Sequence, residues 1–235
     1  MRAAILAGGA GTRLSPYTMV LPKPLVPVGD RPILEVIVRQ LARSGFKEVD
    51  FLVGHLGELI RVYFDQGASV PEEMVFRYHW EDQPLGTAGA LRQIEPPRES
   101  LLVMNGDILT TLSYRDLVRF HTEQDAALTI ATHAKKVQLA LGVVESAGDD
   151  AVTGYVEKPE LSYEVSMGIY VYSPRAMEHL PRKRFDFPDL VLKLVEAGER
   201  VARFHFDGAW FDIGTRDEHE LAVAAYEADP TRFDP

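Results

Sequence analysis

Between residues 2 and 132, short apolar runs alternate with amphipathic segments of about ten residues, and no other feature of the chain constrains its fold as strongly. Residues 2–6 (RAAIL) and 49–53 read as buried strands, and 75–79, 101–104 (LLVM) and 127–132 (ALTIAT) as further strands. Pro32 stands at a first helical position, apolar residues recur at 33, 34, 37, 38 and 41, and Gly45 follows as a stop, which predicts a helix. Residues 58–66, closed by Gly67, and 114–124 predict two more. Parallel neighbours need crossover connections, so the alternation predicts a mostly parallel sheet with helices on both faces. The rhythm changes over 139–173, where LALGVVE, VTGYVE and EVSMGIYVYS read as successive strands and suggest an antiparallel addition or edge. Helices at 174–180 and 187–197, a strand at 201–206, the WFDIGT turn and a helix at 216–228 complete the pattern. The expected class is α/β: a doubly wound sheet with an antiparallel insertion, in a single domain spanning 1–235.

Composition narrows the functions such a chain can have. The net charge of −10 excludes a general polyanion binder, and no basic stripe suited to nucleic acid is present. Cys is absent, which removes disulfide scaffolds, thiolate metal sites and Cys nucleophiles. The apolar start is broken by Gly8, Gly9 and Gly11 and closed by Arg13, unlike a signal peptide. No uncharged stretch approaches the roughly 18 residues a membrane helix needs, so no membrane association and a cytoplasmic location are expected. Charge is uneven: residues 1–50 carry seven basic and four acidic side chains, residues 201–235 three and eight. A phosphate ligand therefore meets a positive field at the glycine-bearing end. The sequence neither requires nor forbids a homo-oligomer.

The first strand-to-helix connection is LAGGAGTRL, residues 6–14. Glycines there let backbone N–H groups approach phosphate oxygens without a Cβ in the way. It is not a P-loop, because the chain contains no Gly-Lys pair. Nor does it match the dinucleotide fingerprint, whose third Gly would fall at Leu14 and whose acidic residue is replaced by Val53, Gly54 and His55. Arg13 places a planar, permanently charged donor set on the loop. Lys23, held between Pro22 and Pro24, has little freedom in where its ammonium goes, so the two cations suit one polyphosphate.

These residues resemble the sugar-nucleotide pyrophosphorylases, which join a sugar 1-phosphate to a nucleoside triphosphate. LAGGAGTRLSPYT (6–18) followed by PKPLVPVGDRPIL (22–34) looks like the family signature in content and spacing. The likeness continues through EDQPLGTAGAL (81–91), NGD (105–107), GVVE (142–145), EKP (157–159), VSMGIYVYS (165–173) and WFDIGT (210–215). It implies a Rossmann-like α/β/α sandwich with a mixed sheet, residues 1–110 forming the nucleotide-binding half and 111–235 the sugar-phosphate half. By the resemblance, Leu6, Ala7, Gly8, Gly9, Gly11, Thr12 and Gly106 hold the nucleotide, Arg13 the departing pyrophosphate, and Lys23 the phosphates at the reacting centre. It likewise implies that Gln83, Gly86 and Thr87 meet the base and ribose, and that Asn105, Gly142, Glu157 and Lys158 meet the sugar phosphate. It also makes Asp107 and Asp212 the ligands of Mg²⁺, with Arg13, Lys23 and Asp107 as the catalytic set. Without the family, Asp107 reads as an Asx turn before Thr110 and Asp212 as an N-cap of the last helix.

PLGTAGAL resembles the guanylyl members acting on mannose 1-phosphate or a related sugar phosphate. Thymidylyl, uridylyl, cytidylyl and adenylyl transfer stay open, as does a sensor that keeps the fold without the chemistry. A nicotinamide oxidoreductase on a similar sheet is disfavoured by the missing third Gly.

Overall fold

The computed structural model describes residues 1–9, 11–81, 83–148 and 150–233. Ala10 and Asp82, within two of the motifs, lie outside the described residues, as do Asp149 and residues 234–235, the end of the expected domain. Along the first half run β1 (Arg2–Ala7), β2 (Pro27–Val28), β3 (Arg31–Pro32), α1 (Ile33–Arg43), β4 (Glu48–Val53), α2 (Gly57–Gln66), β5 (Val75–Trp80), β6 (Leu101–Asn105) and β7 (Ile108–Thr110). The second half has α3 (Tyr114–Glu123), β8 (Leu128–Gln138), β9 (Val143–Ser146), β10 (Val152–Val156), β11 (Glu160–Tyr172), α4 (Pro174–Glu178), α5 (Phe187–Glu196), β12 (Val201–His205), β13 (Trp210–Asp212) and α6 (Arg216–Ala228).

Seven strands form one sheet in the order β12-β8-β11-β6-β1-β4-β5. β1 pairs in parallel with β4 on one side and β6 on the other, while β11 runs antiparallel to both its neighbours. This is the mixed, mostly parallel sheet expected. The antiparallel strand lies inside the sheet rather than at its edge, because its last residues are apolar toward both faces. Met167, Ile169 and Val171 enter one core cluster, and Tyr170 and Tyr172 the other.

Strand alternation builds both layers. Ala3, Ile5 and Ala7 of β1, with Leu102 and Met104 of β6, face a core that includes α1, whose Ile33, Leu34, Ile37, Val38 and Leu41 are fully buried. Ala4, Leu101 and Val103 face the opposite core, with Leu190 and Leu194 of α5. Each such large aliphatic side chain contributes roughly 1.5–3 kcal/mol by leaving water, which is why the short first-half runs read so clearly as strands.

The stretch 139–173 departs from expectation in its boundaries. β8 runs on to Gln138 and β11 begins at Glu160, so the two strands leave the sheet as a paired ribbon, with Val137 opposite Leu161 and Gln138 opposite Glu160. The predicted strand LALGVVE therefore begins only at Val143, since Leu139 N donates to Pro159 O (3.0 Å) and closes the ladder there. β9 and β10 form a separate antiparallel hairpin beyond it. Likewise WFD in the expected turn is strand β13, paired antiparallel with β7. Thr215, not Asp212, caps α6: its Oγ1 accepts from Glu218 N (3.3 Å), and Glu218 Oε2 reaches back to accept from Gly214 N (3.2 Å), the residue before the cap.

Candidate active site

The connections after β1 and β6 leave the sheet at the carboxyl edge, where strand order switches direction about β1 and ligands of open α/β sheets gather. Gly8 and Gly9 follow β1 directly, and Gly8 lies so close to Gly54, after β4, that a Cβ on Gly54 would stand 2.7 Å from Gly8 O. Gly11 adopts φ +61°, a left-handed conformation that favours glycine. The chain then folds back, with Thr18 Oγ1 donating to Gly11 O (2.8 Å), and a Cβ on Gly11 would lie 3.0 Å from Lys23 Cβ. The glycine loop and Lys23 are thereby packed against each other, with buried Leu14 anchoring the turn that carries Thr12 and Arg13.

Asp107 reaches the same place from β6. Gly106 N donates to Leu6 O (3.0 Å), and the Asp107 carboxylate pairs with the Lys23 ammonium through Oδ2. Its other oxygen, Oδ1, is buried and has no hydrogen-bond partner among the described residues. Asp212 arrives from more than a hundred residues away because β13 pairs with β7: Asp212 sits opposite Ile108, and Ile213 N donates to Asp107 O (3.1 Å). Burial, and next the charge of Asp107, push the Asp212 carboxyl above the ordinary aspartate range, while Lys23 and Arg13 pull it down. Arg13 belongs to this cluster too, its guanidinium lying 3.5 Å from where a Cβ on Gly214 would sit. Two carboxylates and two cations from four separate segments are thus neighbours: Arg13, Lys23 and Asp107 line one end of a cavity of about 440 Å³, and Asp212 stands beside them but is not among the lining residues.

Leu6, Ala7, Gly8, Gly9, Gly11, Thr12, Arg13, Lys23, Gly86, Thr87, Asn105 and Asp107 line this cavity, all of them singled out from the sequence. Gly106 lies beneath it, packed on Pro24 and Ile5. Asn105 is seated over the kink of β11, where Gly168 has φ +73° and a Cβ would lie 2.6 Å from the Asn105 amide nitrogen. Gln83 is exposed and is not among the lining residues. Gly142, Glu157 and Lys158 lie outside the cavity as well: Gly142 precedes β9, and Glu157 and Lys158 occupy the exposed turn between β10 and β11.

The structure adds lining residues that the sequence did not single out, notably Glu81, Asp186 and Gly214. Burial raises the Glu81 carboxyl, and a hydrogen bond with the Leu85 backbone partly offsets this. Glu81 had a usable signal, since it is the first residue beyond β5 at the sheet's carboxyl edge. Asp186 precedes a helix in an N-cap position, which identifies a helix start but not a cavity wall. Charged side chains stand at both ends of the cavity: Arg13 and Lys23 at the glycine-loop end, Asp186 beside the Gly86 loop, and Glu81 between them, its Oε2 3.7 Å from where a Cβ on Gly8 would sit and its carboxylate hydrogen-bonded to the Leu85 backbone.

Fold and cavity define a class: an α/β protein with a mixed sheet, whose glycine loop and fixed cations line a cleft at the carboxyl edge. Residues 2–228 match the nucleotidyl transferase family model, and the chain belongs to that family. It is 31% identical to a UTP–glucose-1-phosphate uridylyltransferase from Synechocystis sp. over 95% of this chain and 62% of the relative. It is 30% identical to a mannose-1-phosphate guanylyltransferase catalytic subunit beta from Drosophila pseudoobscura pseudoobscura, over 96% of this chain and 62% of the relative. The chain thus spans under two thirds of the length of these relatives. Among solved structures, HddC from Yersinia pseudotuberculosis complexed with GMP-PN superposes with a TM-score of 0.70 at 25% identity, covering 96% of this chain and 99% of that one. UDP-glucose pyrophosphorylase complexed with UDP-glucose shares the fold, with a TM-score of 0.75 at 20% identity over 97% and 98% of the two chains. Among the described residues no helix is long and apolar enough to cross a membrane.

Proposed function

We propose that the chain is a sugar-1-phosphate nucleotidyltransferase that uses GTP, with mannose 1-phosphate or a related sugar phosphate as acceptor. A phosphate oxygen of the sugar 1-phosphate attacks the α-phosphorus, the bond from that phosphorus to the oxygen bridging it to the β-phosphate breaks, and pyrophosphate leaves. The observation that carries this reading is the convergence of the glycine loop, Arg13, Lys23 and Asp107 on one cavity. Such transfer needs in-line positioning and neutralisation of charge spreading over phosphoryl oxygens, which fixed cations and backbone donors supply without reorganising. Arg13 would hold the leaving pyrophosphate and Lys23 the reacting phosphates.

Divalent-metal dependence is general in this family. The residues here fit such an ion: Asp107 has a buried carboxylate oxygen without a partner among the described residues, and Asp212 is close enough for its proton affinity to be raised by Asp107. Among the described residues no group of three or more His, Asp or Glu side chains could hold a metal, whereas one or two carboxylates suffice for Mg²⁺, which completes its shell with phosphates and water. Bound there by Asp107 and Asp212, Mg²⁺ would polarise and neutralise phosphoryl oxygens.

Glu81 supports the choice of guanine. A carboxylate only accepts, and guanine presents adjacent N1–H and N2–H donors on one edge, whereas uracil and thymine present one N–H between two carbonyls. The solved relative that holds GMP-PN supports the same base. For the sugar phosphate, Asn105 lies in the cavity, and Glu157 and Lys158 place a carboxylate and an ammonium side by side on the exposed turn. The test is pyrophosphate release across five triphosphates and a panel of sugar 1-phosphates. GTP is expected to lead, and Glu81→Gln to lower its kcat/KM by about 10- to 100-fold, the loss of one bidentate base contact. Equal rates with GTP and UTP in the unaltered protein would reject guanine selection. Binding of a nucleotide sugar without turnover on any pair would favour a sensor.

A further inference from the structure

The loop over residues 85–89 is shaped by a segment a hundred residues further along the chain. Phe185 N donates to Leu85 O (2.8 Å), and Ala88 N and Gly89 N both donate to Phe185 O (3.1 and 2.8 Å). Gly86 adopts φ +82° and approaches so closely that a Cβ there would stand 2.6 Å from Phe185 O and 2.7 Å from Asp186 Oδ1.

The side chains at this contact exchange helix-capping partners. Asp186 occupies the N-cap position of α5, yet its side chain makes no cap bond to that helix. An N-cap carboxylate ordinarily accepts from N–H groups of the helix's own first turn. Here Asp186 Oδ1 accepts from Thr87 N (3.2 Å), and Thr87 Oγ1 in turn accepts from Phe187 N (2.8 Å), the first N–H of α5. Gly86, Thr87 and Asp186 all line the cavity. Pro188, the second residue of α5, has no N–H for Asp186 to accept from, so the Asp186 carboxylate is free to hold the loop while Thr87 satisfies the start of the helix.

We propose that this exchanged cap is a positioning device: Asp186 and Thr87 hold the Gly86 loop in the shape that receives the nucleotide base. The proposal rests on the nucleotidyltransferase reading. Asp186 is a positioning residue, acting through the backbone of residues 86–88. The clasp ties the base-side wall to the second half of the sheet, because Phe187 stacks on Tyr170 of β11 with ring centroids 3.9 Å apart.

The test uses the full chain with Asp186→Ala, Asp186→Asn, Thr87→Val and Thr87→Ser, and the double variant Asp186→Ala/Thr87→Val. Measurements are the KM and kcat for GTP and for the sugar phosphate, calorimetric binding of GTP, and amide exchange over 86–89. Asp186→Ala and Thr87→Val should each raise the KM for GTP about tenfold, with kcat and the sugar phosphate KM little changed, a split that loss of uniform binding produces. Asn keeps an acceptor oxygen and Ser keeps the hydroxyl, so both should recover most of the loss. The double variant should be little worse than either single one, as for residues in one network. Faster exchange at 86–89 should accompany the KM change. A lower Tm with unchanged GTP binding and KM in Asp186→Ala and Thr87→Val would reduce the clasp to a structural cap and overturn the proposal. Absence of any nucleotide binding by the unaltered protein would instead overturn the functional reading, and the clasp with it.

Discussion

The glycine-loop cradle and the β8–β11 ribbon present charge to solvent in opposite ways. In the cradle, Ala3 and Ile5 of β1 are fully buried beneath the loop, and the Lys23–Asp107 pair is only 14% and 16% exposed. In the ribbon, Val137, Leu161 and Tyr163 share an exposed face, Lys136 pairs with Glu160 (2.7 Å) on the other, and Lys158 is 59% exposed. A side chain whose stem is packed on every side is aimed by the core. One on an exposed turn is aimed only by the strand ladder that leads to it. Substitutions in the cradle should therefore change turnover, and those on the ribbon only affinity.

The largest break in that contrast comes from Asp107→Ala, which should lower kcat by about a thousandfold or more while Tm stays within a few degrees, because a carboxylate in the proposed metal-binding role would act on the transition state more than on the core. Near-normal magnesium-dependent rates would remove Asp107 from the chemistry. Stability should divide along the same line. Phe51→Ala, in the cluster with Phe64 and Phe76, should cost about 3–5 kcal/mol, whereas Tyr163→Ser on the ribbon should stay within about 0.5 kcal/mol. Urea titrations of both variants measure this, and comparable losses would show that the ribbon face is covered in solution.

At the root of the ribbon the contrast can be sharpened with pH. His121 on α3 is buried against Thr129 of β8 (Nδ1 to Oγ1, 2.8 Å), and burial pushes its imidazole down to about 4. The unfolded chain takes up this proton near the ordinary histidine value of about 6.5, so stability is full above that pH and is lost as pH falls toward 4. The loss should be about 2 kcal/mol, seen as a falling urea midpoint between pH 7 and 4.5 that is absent in His121→Phe. A flat profile would place protonation elsewhere. The smallest kinetic effect belongs to Lys158→Ala, with the KM for the sugar phosphate raised about tenfold and that for the triphosphate unchanged. An unaltered sugar phosphate KM would take Lys158 out of the site.

Legibility followed the same division. The first-half strands and helices lie within a few residues of their expected positions, because each is signalled by its own periodicity and closed by Gly45 or Gly67. The stretch 139–173 shows its strands in the sequence but not their bounds, since where β8 stops depends on Glu160 and Pro159 pairing back to it. Arg13 and Lys23 were legible from a local pattern of glycines and prolines. Glu81 carries its signal in its place just beyond the end of β5, whereas the family resemblance points to Gln83 two residues on.

By itself the sequence determined the alternating α/β plan, the glycine turn after β1 and the cations that follow it, because backbone freedom and hydrophobic period act over a few residues. Only the tertiary structure decided that Asp107 and Asp212 meet, that Thr87 and Asp186 exchange caps, and that Glu157 and Lys158 stand outside the cavity. The first two outcomes depend on pairings between residues about a hundred positions apart, for which no local preference exists until the sheet has formed, and the third on where the β8–β11 ribbon carries its turn.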